Sequence, residues 1–176
     1  MPTSLRVPWC ALSLAGALAA PTPARAADHD LTLSPRLGVA ASSGPVGGVG
    51  PAVEFGVQYG LNDAFSLYGV AAYDAAFFAG TRSPRHGAAL AFGALYAFDV
   101  LRFVPYFGVG VRGDLFVGPR DGGVTPSAEA RVGLRWLLRR DFALSLEAAY
   151  GFPFVARDLA TDLFSITAGV TFLRTL

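Results

Sequence analysis

Residues 128–136 read Ala-Glu-Ala-Arg-Val-Gly-Leu-Arg-Trp. Ala128, Ala130, Val132, Leu134 and Trp136 alternate with Glu129, Arg131, Gly133 and Arg135. Successive strand side chains point to opposite faces, so a period of two gives one oily face and one charged face. The pattern recurs. Val53, Phe55, Val57, Tyr59 and Leu61 alternate with Glu54, Gly56, Gln58 and Gly60. Phe142, Leu144, Leu146, Ala148 and Tyr150 alternate with Ala143, Ser145, Glu147 and Ala149. Phe164, Ile166, Ala168, Val170 and Phe172 alternate with Ser165, Thr167, Gly169 and Thr171. In each stretch the second face is polar or very small.

Composition sharpens the meaning of that second face. The 176 residues are 53% hydrophobic and only 15% charged, too few charges to coat a soluble surface of this size. All 14 basic residues are Arg and the formal charge is +1, which excludes a basic nucleic-acid surface. The aromatic content excludes a disordered chain, and a single Cys excludes a disulfide scaffold. A membrane is the environment that fits. A spanning helix needs about 20 consecutive apolar residues. Residues 37–53 lack charge but are rich in Gly, Ser and Pro, and residues 87–98 are too short.

The first 26 residues read as a secretory signal peptide. Arg6 supplies a positive charge, residues 7–20 form a short apolar run, and Ala24-Arg25-Ala26 fits the small-x-small cleavage rule. The alternative, an uncleaved anchor, is disfavoured by the short run and the prolines after it. Cys10 leaves with this segment. The expected mature domain, residues 27–176, holds 12 Arg against 13 acids.

Eight strands are expected, near 31–42, 52–61, 65–77, 88–98, 103–117, 127–138, 142–155 and 163–174. Each is long enough to cross a bilayer obliquely, which takes about 9–11 residues. Short polar turns at 62–64, 99–102 and 139–141 alternate with longer connections at 43–51, 78–87, 118–126 and 156–162. That is the signature of an all-β, eight-stranded, antiparallel up-and-down transmembrane β-barrel, with tight turns and both termini on the periplasmic side. An even strand number closes the sheet and leaves no unpaired edge in lipid. Aromatic residues agree. Tyr59, Phe65, Tyr96, Phe98, Phe103, Trp136 and Phe142 flank the turns, and Tyr73, Phe77, Phe116, Phe152, Phe154 and Phe164 lie toward the loops, as two interfacial belts. A soluble sandwich or lipocalin-like barrel would need its charged face outside.

With the leader, the eight alternating stretches and the run Pro105-Tyr106-Phe107-Gly108-Val109-Gly110-Val111-Arg112-Gly113, the chain resembles the small outer-membrane barrels of the OmpA/OmpX kind. The resemblance covers the whole of 27–176. It implies a porin-like barrel of the Gram-negative envelope, embedded in the bacterial outer membrane. Gly169-Val170-Thr171-Phe172 is similar to the terminal signal read by the barrel-assembly machinery. The family usually ends on Phe or Trp, whereas this chain ends Leu173-Arg174-Thr175-Leu176.

The strand phases send Arg36, Glu54, Arg112, Asp114, Glu129, Arg131, Arg135 and Glu147 into the barrel interior as an ion-pair network. Asp74 joins them from the third strand, whose Ala-rich pattern leaves its phase ambiguous. A charge facing lipid at the midplane costs about 2–4 kcal/mol, which drives the inward assignment. The densest cluster is expected on strands five to seven. An eight-stranded barrel is only just wide enough for its own side chains, which favours a structural network over a switchable ion path.

No catalytic, cofactor or metal site is expected. His29 is at the N-terminus, and His86 reads as a solvated loop residue beside Ser83 with no identifiable partner. Arg82, Arg85, Arg120 and Arg157 in the outer loops are candidate contacts for lipopolysaccharide phosphates. The expected function is therefore non-catalytic: envelope integrity, surface interaction, or binding of lipid or a small ligand. A narrow pore for ions or small solutes is the first alternative, and an outer-leaflet lipid-modifying enzyme the second. Outer-membrane lipids, lipopolysaccharide and the assembly machinery are the expected partners of a monomer. Neither a further domain after Leu176 nor a tether to the cell wall is expected.

Overall fold

The computed structural model describes residues 30–43, 48–77, 85–98, 102–117, 122–154 and 162–175. They form eight strands: β1 (Asp30–Ser42), β2 (Gly48–Gly60), β3 (Phe65–Ala76), β4 (Arg85–Ala97), β5 (Phe103–Val117), β6 (Gly122–Arg139), β7 (Phe142–Pro153) and β8 (Leu163–Thr175). Each pairs antiparallel with its sequence neighbours, and β1 pairs with β8 to close the cylinder. Residues 1–26, the expected signal peptide, lie outside the described residues.

The period-two segments set the orientation of the wall. Phe55, Leu146 and Ile166 point outward and are 49%, 54% and 43% exposed, whereas Arg131 and Glu147 inside are 1% and 2% exposed. β3 resolves its ambiguous phase the same way: Tyr68, Val70 and Asp74 are buried in the lumen while Leu67 and Tyr73 face out. Outward aromatic rings touch across strands near the tight turns. Tyr96 lies edge-on to Phe65 and Phe98 at 4.9 Å between ring centroids, and Phe103 stacks on Trp136 at 5.8 Å. The first turn is pinned by Asn62, whose Oδ1 accepts from the backbone N–H of Ala64 and Phe65.

Three strands begin three or more residues earlier than the sequence suggests. β2 starts at Gly48 rather than 52, β4 at Arg85 rather than 88, and β6 at Gly122 rather than 127. The Gly- and Pro-rich stretches read as loops because those residues are poor strand formers in isolation, but hairpin pairing overrides that preference. Gly50 pairs with Ala40, at a point where a Cβ would collide with the Ala75 backbone. Pro126 pairs with Gly113 of β5 and lies at the end of the β6–β7 ladder, where its carbonyl accepts from Phe154 N–H at 3.0 Å and its own missing N–H is tolerated. Phe116 also departs from expectation. It belongs to the inward set of β5 and lies under the Arg85 guanidinium instead of in an aromatic belt.

The seam between β1 and β8 keeps one register but is interrupted. Its pairing runs from Asp30↔Thr175 to Leu33↔Phe172 and resumes at Arg36↔Gly169. The gap falls at Ser34 and Pro35, where proline has no N–H to donate. A side-chain bond bridges it from inside, Ser34 Oγ to Thr171 Oγ1 at 3.0 Å. A Cβ on Gly169 would meet the backbone of Pro35 and Arg36, which cannot yield. Gly169→Val is expected to prevent closure, read as loss of the fast-migrating folded band on unheated gels. Wild-type migration of the variant would contradict this account of the seam.

Candidate functional site

Among the described residues, the charged side chains converge in the lumen. Arg131 on β6 is its hub. Its Nε donates to Glu129 Oε1 at 2.5 Å and its Nη2 to Glu129 Oε2 at 3.1 Å, a bidentate clamp. Its Nη1 donates to Glu147 of β7 and stands 3.5 Å from Glu54 Oε2 of β2. From beyond β8, Arg36 of β1 donates through Nη1 to Glu147 Oε2 at 2.5 Å and approaches Glu54 Oε2 of the neighbouring β2 at 3.2 Å. Arg112 of β5 continues the chain upward, with Nε on Asp114 Oδ1 at 2.7 Å and Nη1 on Glu129 Oε2 at 3.4 Å. Ser165 Oγ donates to Glu54 Oε1 at 3.2 Å.

Two tyrosines fill the space beside these ions. Tyr68 donates its hydroxyl to Glu129 Oε1 at 3.0 Å, and Tyr106 donates to Glu147 Oε2 at 2.7 Å. Glycines make room for the rings. Tyr68 lies against Gly93 and Gly110, and Tyr106 lies over Gly133, each so close that a Cβ would overlap the tyrosine side chain. With Val70, Ala91 and Leu95 the two rings form an apolar cluster on the β3–β5 side. Gly133→Val is expected to push the Tyr106 ring off Glu147 and to cost about 1–3 kcal/mol by overpacking. Urea unfolding in micelles measures it, and an unchanged midpoint would show that the ring has somewhere else to go.

Of the eight residues expected in the interior network, the structure brings seven into mutual ion pairs: Arg36, Glu54, Arg112, Asp114, Glu129, Arg131 and Glu147. Arg135 stands apart. It is buried, donates to Gln58 Oε1 of β2, and lies 4.6 Å from the Tyr106 ring centre. Glu54 approaches the strand-six hub from directly across the barrel, because a cylinder this narrow lets opposite walls touch, and Arg36 joins through Glu147.

Arg85 is a correction. It is the first residue of β4 and is buried at the loop end of the lumen, 4.1 Å above the Phe116 ring, rather than displayed on an outer loop. The reason is phase: odd-numbered β4 positions face inward. With it, the described lumen holds five Arg (36, 85, 112, 131 and 135) and five carboxylates (Glu54, Asp74, Asp114, Glu129 and Glu147), a neutral set. Arg82, Arg120 and Arg157 lie outside the described residues. His86 is corrected as well. It is a β4 residue on the outward face, not a solvated loop residue, and Tyr73 Oη is 2.7 Å from its Nδ1. Ser83 lies outside the described residues. Tyr68, Tyr106 and Gln58 are lumen residues that the alternation of side chains does not single out. Rows of glycine on the inward phase of β4–β6 were the available signal for the two rings.

No family model matches the chain, and no curated protein is similar to it in sequence. Solved structures are similar in fold. Neisserial surface protein A is 12% identical, with a TM-score of 0.66 over 81% of this chain and 96% of its own. The N-terminal β-barrel domain of Pseudomonas aeruginosa OprF is 14% identical, with a TM-score of 0.61 over 84% and 98%. The outer membrane enzyme PagL is 15% identical, with a TM-score of 0.53 over 80% and 98%. The chain therefore has the closed eight-stranded fold of small outer-membrane barrels, a fold that includes an enzyme.

Proposed function

We propose that this chain is a non-catalytic barrel of the bacterial outer membrane, with a sealed lumen, serving envelope integrity or surface interaction. The observation that carries the reading is the cross-lumen plug. Arg36, Glu54, Glu129, Arg131 and Glu147 are each at most 3% exposed and tie β1, β2, β6 and β7 together, with Tyr68 and Tyr106 packed beside them. A path for ions would have to break several charge-assisted bonds at once. The outward belt supports residence in a bilayer, since large apolar side chains are exposed on every strand.

In this reading the turn-side ends and both termini face the periplasm, residues 1–26 are removed on export, and the monomer is inserted by the assembly machinery. Arg82, Arg120 and Arg157 are proposed to meet lipopolysaccharide phosphates at the opposite rim. The His86–Tyr73 pair has no carboxylate orienting it among the described residues, so it does not make a nucleophile–base unit.

The test is electrical. Purified protein in a planar bilayer is expected to be silent, and the double variant Tyr68→Ala, Tyr106→Ala to show discrete current steps. Steady conductance by the wild type would replace this reading with the pore.

A further inference from the structure

We propose that the turn-end rim over β5–β8 binds the headgroup of an anionic phospholipid. Arg102, Arg139, Arg140 and Arg174 are exposed there, against one acid, Asp141. The rest of that rim carries Asp30 and Asp63 and no Arg among the described residues. None of the four guanidinium groups makes an ion pair or hydrogen bond among the described residues. Main-chain bonds hold their strand ends together. Leu137 N–H donates to the Arg102 carbonyl at 2.8 Å, and Leu173 N–H donates to the Asp141 carbonyl at 3.0 Å. The positive charge therefore forms one arc along four neighbouring strands.

Outward rings lie beside the arc. Phe103 stacks on Trp136, and Phe142 meets Phe172 at 5.6 Å between ring centroids. Arg102 immediately precedes Phe103, and Arg174 lies two residues beyond Phe172 on the same outward phase. Belt aromatics sit at the level of lipid headgroups. Guanidinium groups at the edge of that belt are placed to meet phosphate, whose oxygens match their fork. Four cations less one acid leave an excess of three positive charges, which favours a headgroup of net negative charge over a zwitterion. The occupant is a lipid rather than a soluble anion because the rings offer its chains an apolar wall next to the phosphate-binding groups. This step rests on the reading of that wall as a bilayer surface, and it concerns the rim opposite the one proposed to meet lipopolysaccharide.

Quenching of tryptophan fluorescence by bromine on lipid chains tests it. In a Trp9→Phe chain, Trp136 is the sole tryptophan and reports the lipid beside the arc. This chain is refolded into phosphatidylcholine vesicles with a minor share of brominated lipid, either phosphatidylglycerol or phosphatidylcholine. At low salt the brominated phosphatidylglycerol is expected to quench about two- to four-fold more strongly than the same share of brominated phosphatidylcholine, and high salt to erase the difference. Adding Arg102→Gln, Arg140→Gln and Arg174→Gln together is expected to abolish the preference. The salt series on the parent chain serves if that variant does not fold. Equal quenching by the two lipids, a preference that resists salt, or one that survives the triple substitution overturns the proposal. Absence of quenching by either lipid overturns the bilayer reading along with it.

Discussion

Arg131→Met is expected to lower the unfolding free energy by about 3–5 kcal/mol, because it strips the shared cation from Glu129, Glu147 and Glu54 in a buried lumen. Removing one partner of a buried pair is far more damaging than replacing the whole pair. A companion variant makes the point. Adding Glu129→Gln to Arg131→Met removes the most exclusively dependent charge and should recover part of the loss, a coupling visible in a double-mutant cycle. Arg139→Met, on an exposed arginine, is the control and should change little. Urea unfolding midpoints in micelles measure all three. If Arg131→Met and Arg139→Met fall together, the network contributes nothing to stability.

Leu146→Arg tests the opposite face. Leu146 lies at mid-height on β7 with its side chain outward and 54% exposed. An arginine there should cost about 2–4 kcal/mol in a bilayer, falling to about 0–1 near the interface. Phe172→Arg, toward the tight-turn end of β8, is the shallow counterpart. Refolding yield into lipid vesicles compares them. A uniform small loss at both depths would mean that the apolar belt does not sit in hydrocarbon.

These two experiments probe what the alternation of side chains makes readable. Residues 128–136 and 142–150 carry unambiguous phases, so the inward position of Arg131 and Glu147 could be read directly from the sequence. Where both faces are small, as along β3, the pattern alone did not decide; Asp74 and Tyr68 were placed by the register with β4. Arg85 was misread because its neighbours Pro84 and Gly87 carry turn chemistry, and only the pairing of Arg85 with Ala76 shows the strand continuing. The contacts across the lumen were legible only in part. Sequence neighbours suggest strands five to seven as one cluster, but nothing local says that Arg36 reaches Glu147 from β1. That contact follows from closure, which leaves only β8 between β1 and β7. The stand-alone position of Arg135 follows from the narrow diameter, since its partner Gln58 belongs to the strand facing it across the lumen.

The interrupted seam has a consequence for how the molecule comes into being. Joining Asp30 to Thr175 is the longest-range step available to this chain, and loop-closure entropy must be met before its contacts repay it. Until that happens, Arg36 and Glu147 belong to sheet segments that have not met, and each carries a naked charge beside hydrocarbon. Zipping the last ladder and cancelling the interior charge are thus a single event. A half-made cylinder in a bilayer has no resting place, so insertion is expected to be all-or-none, with no populated open sheet between the bare chain and the finished tube.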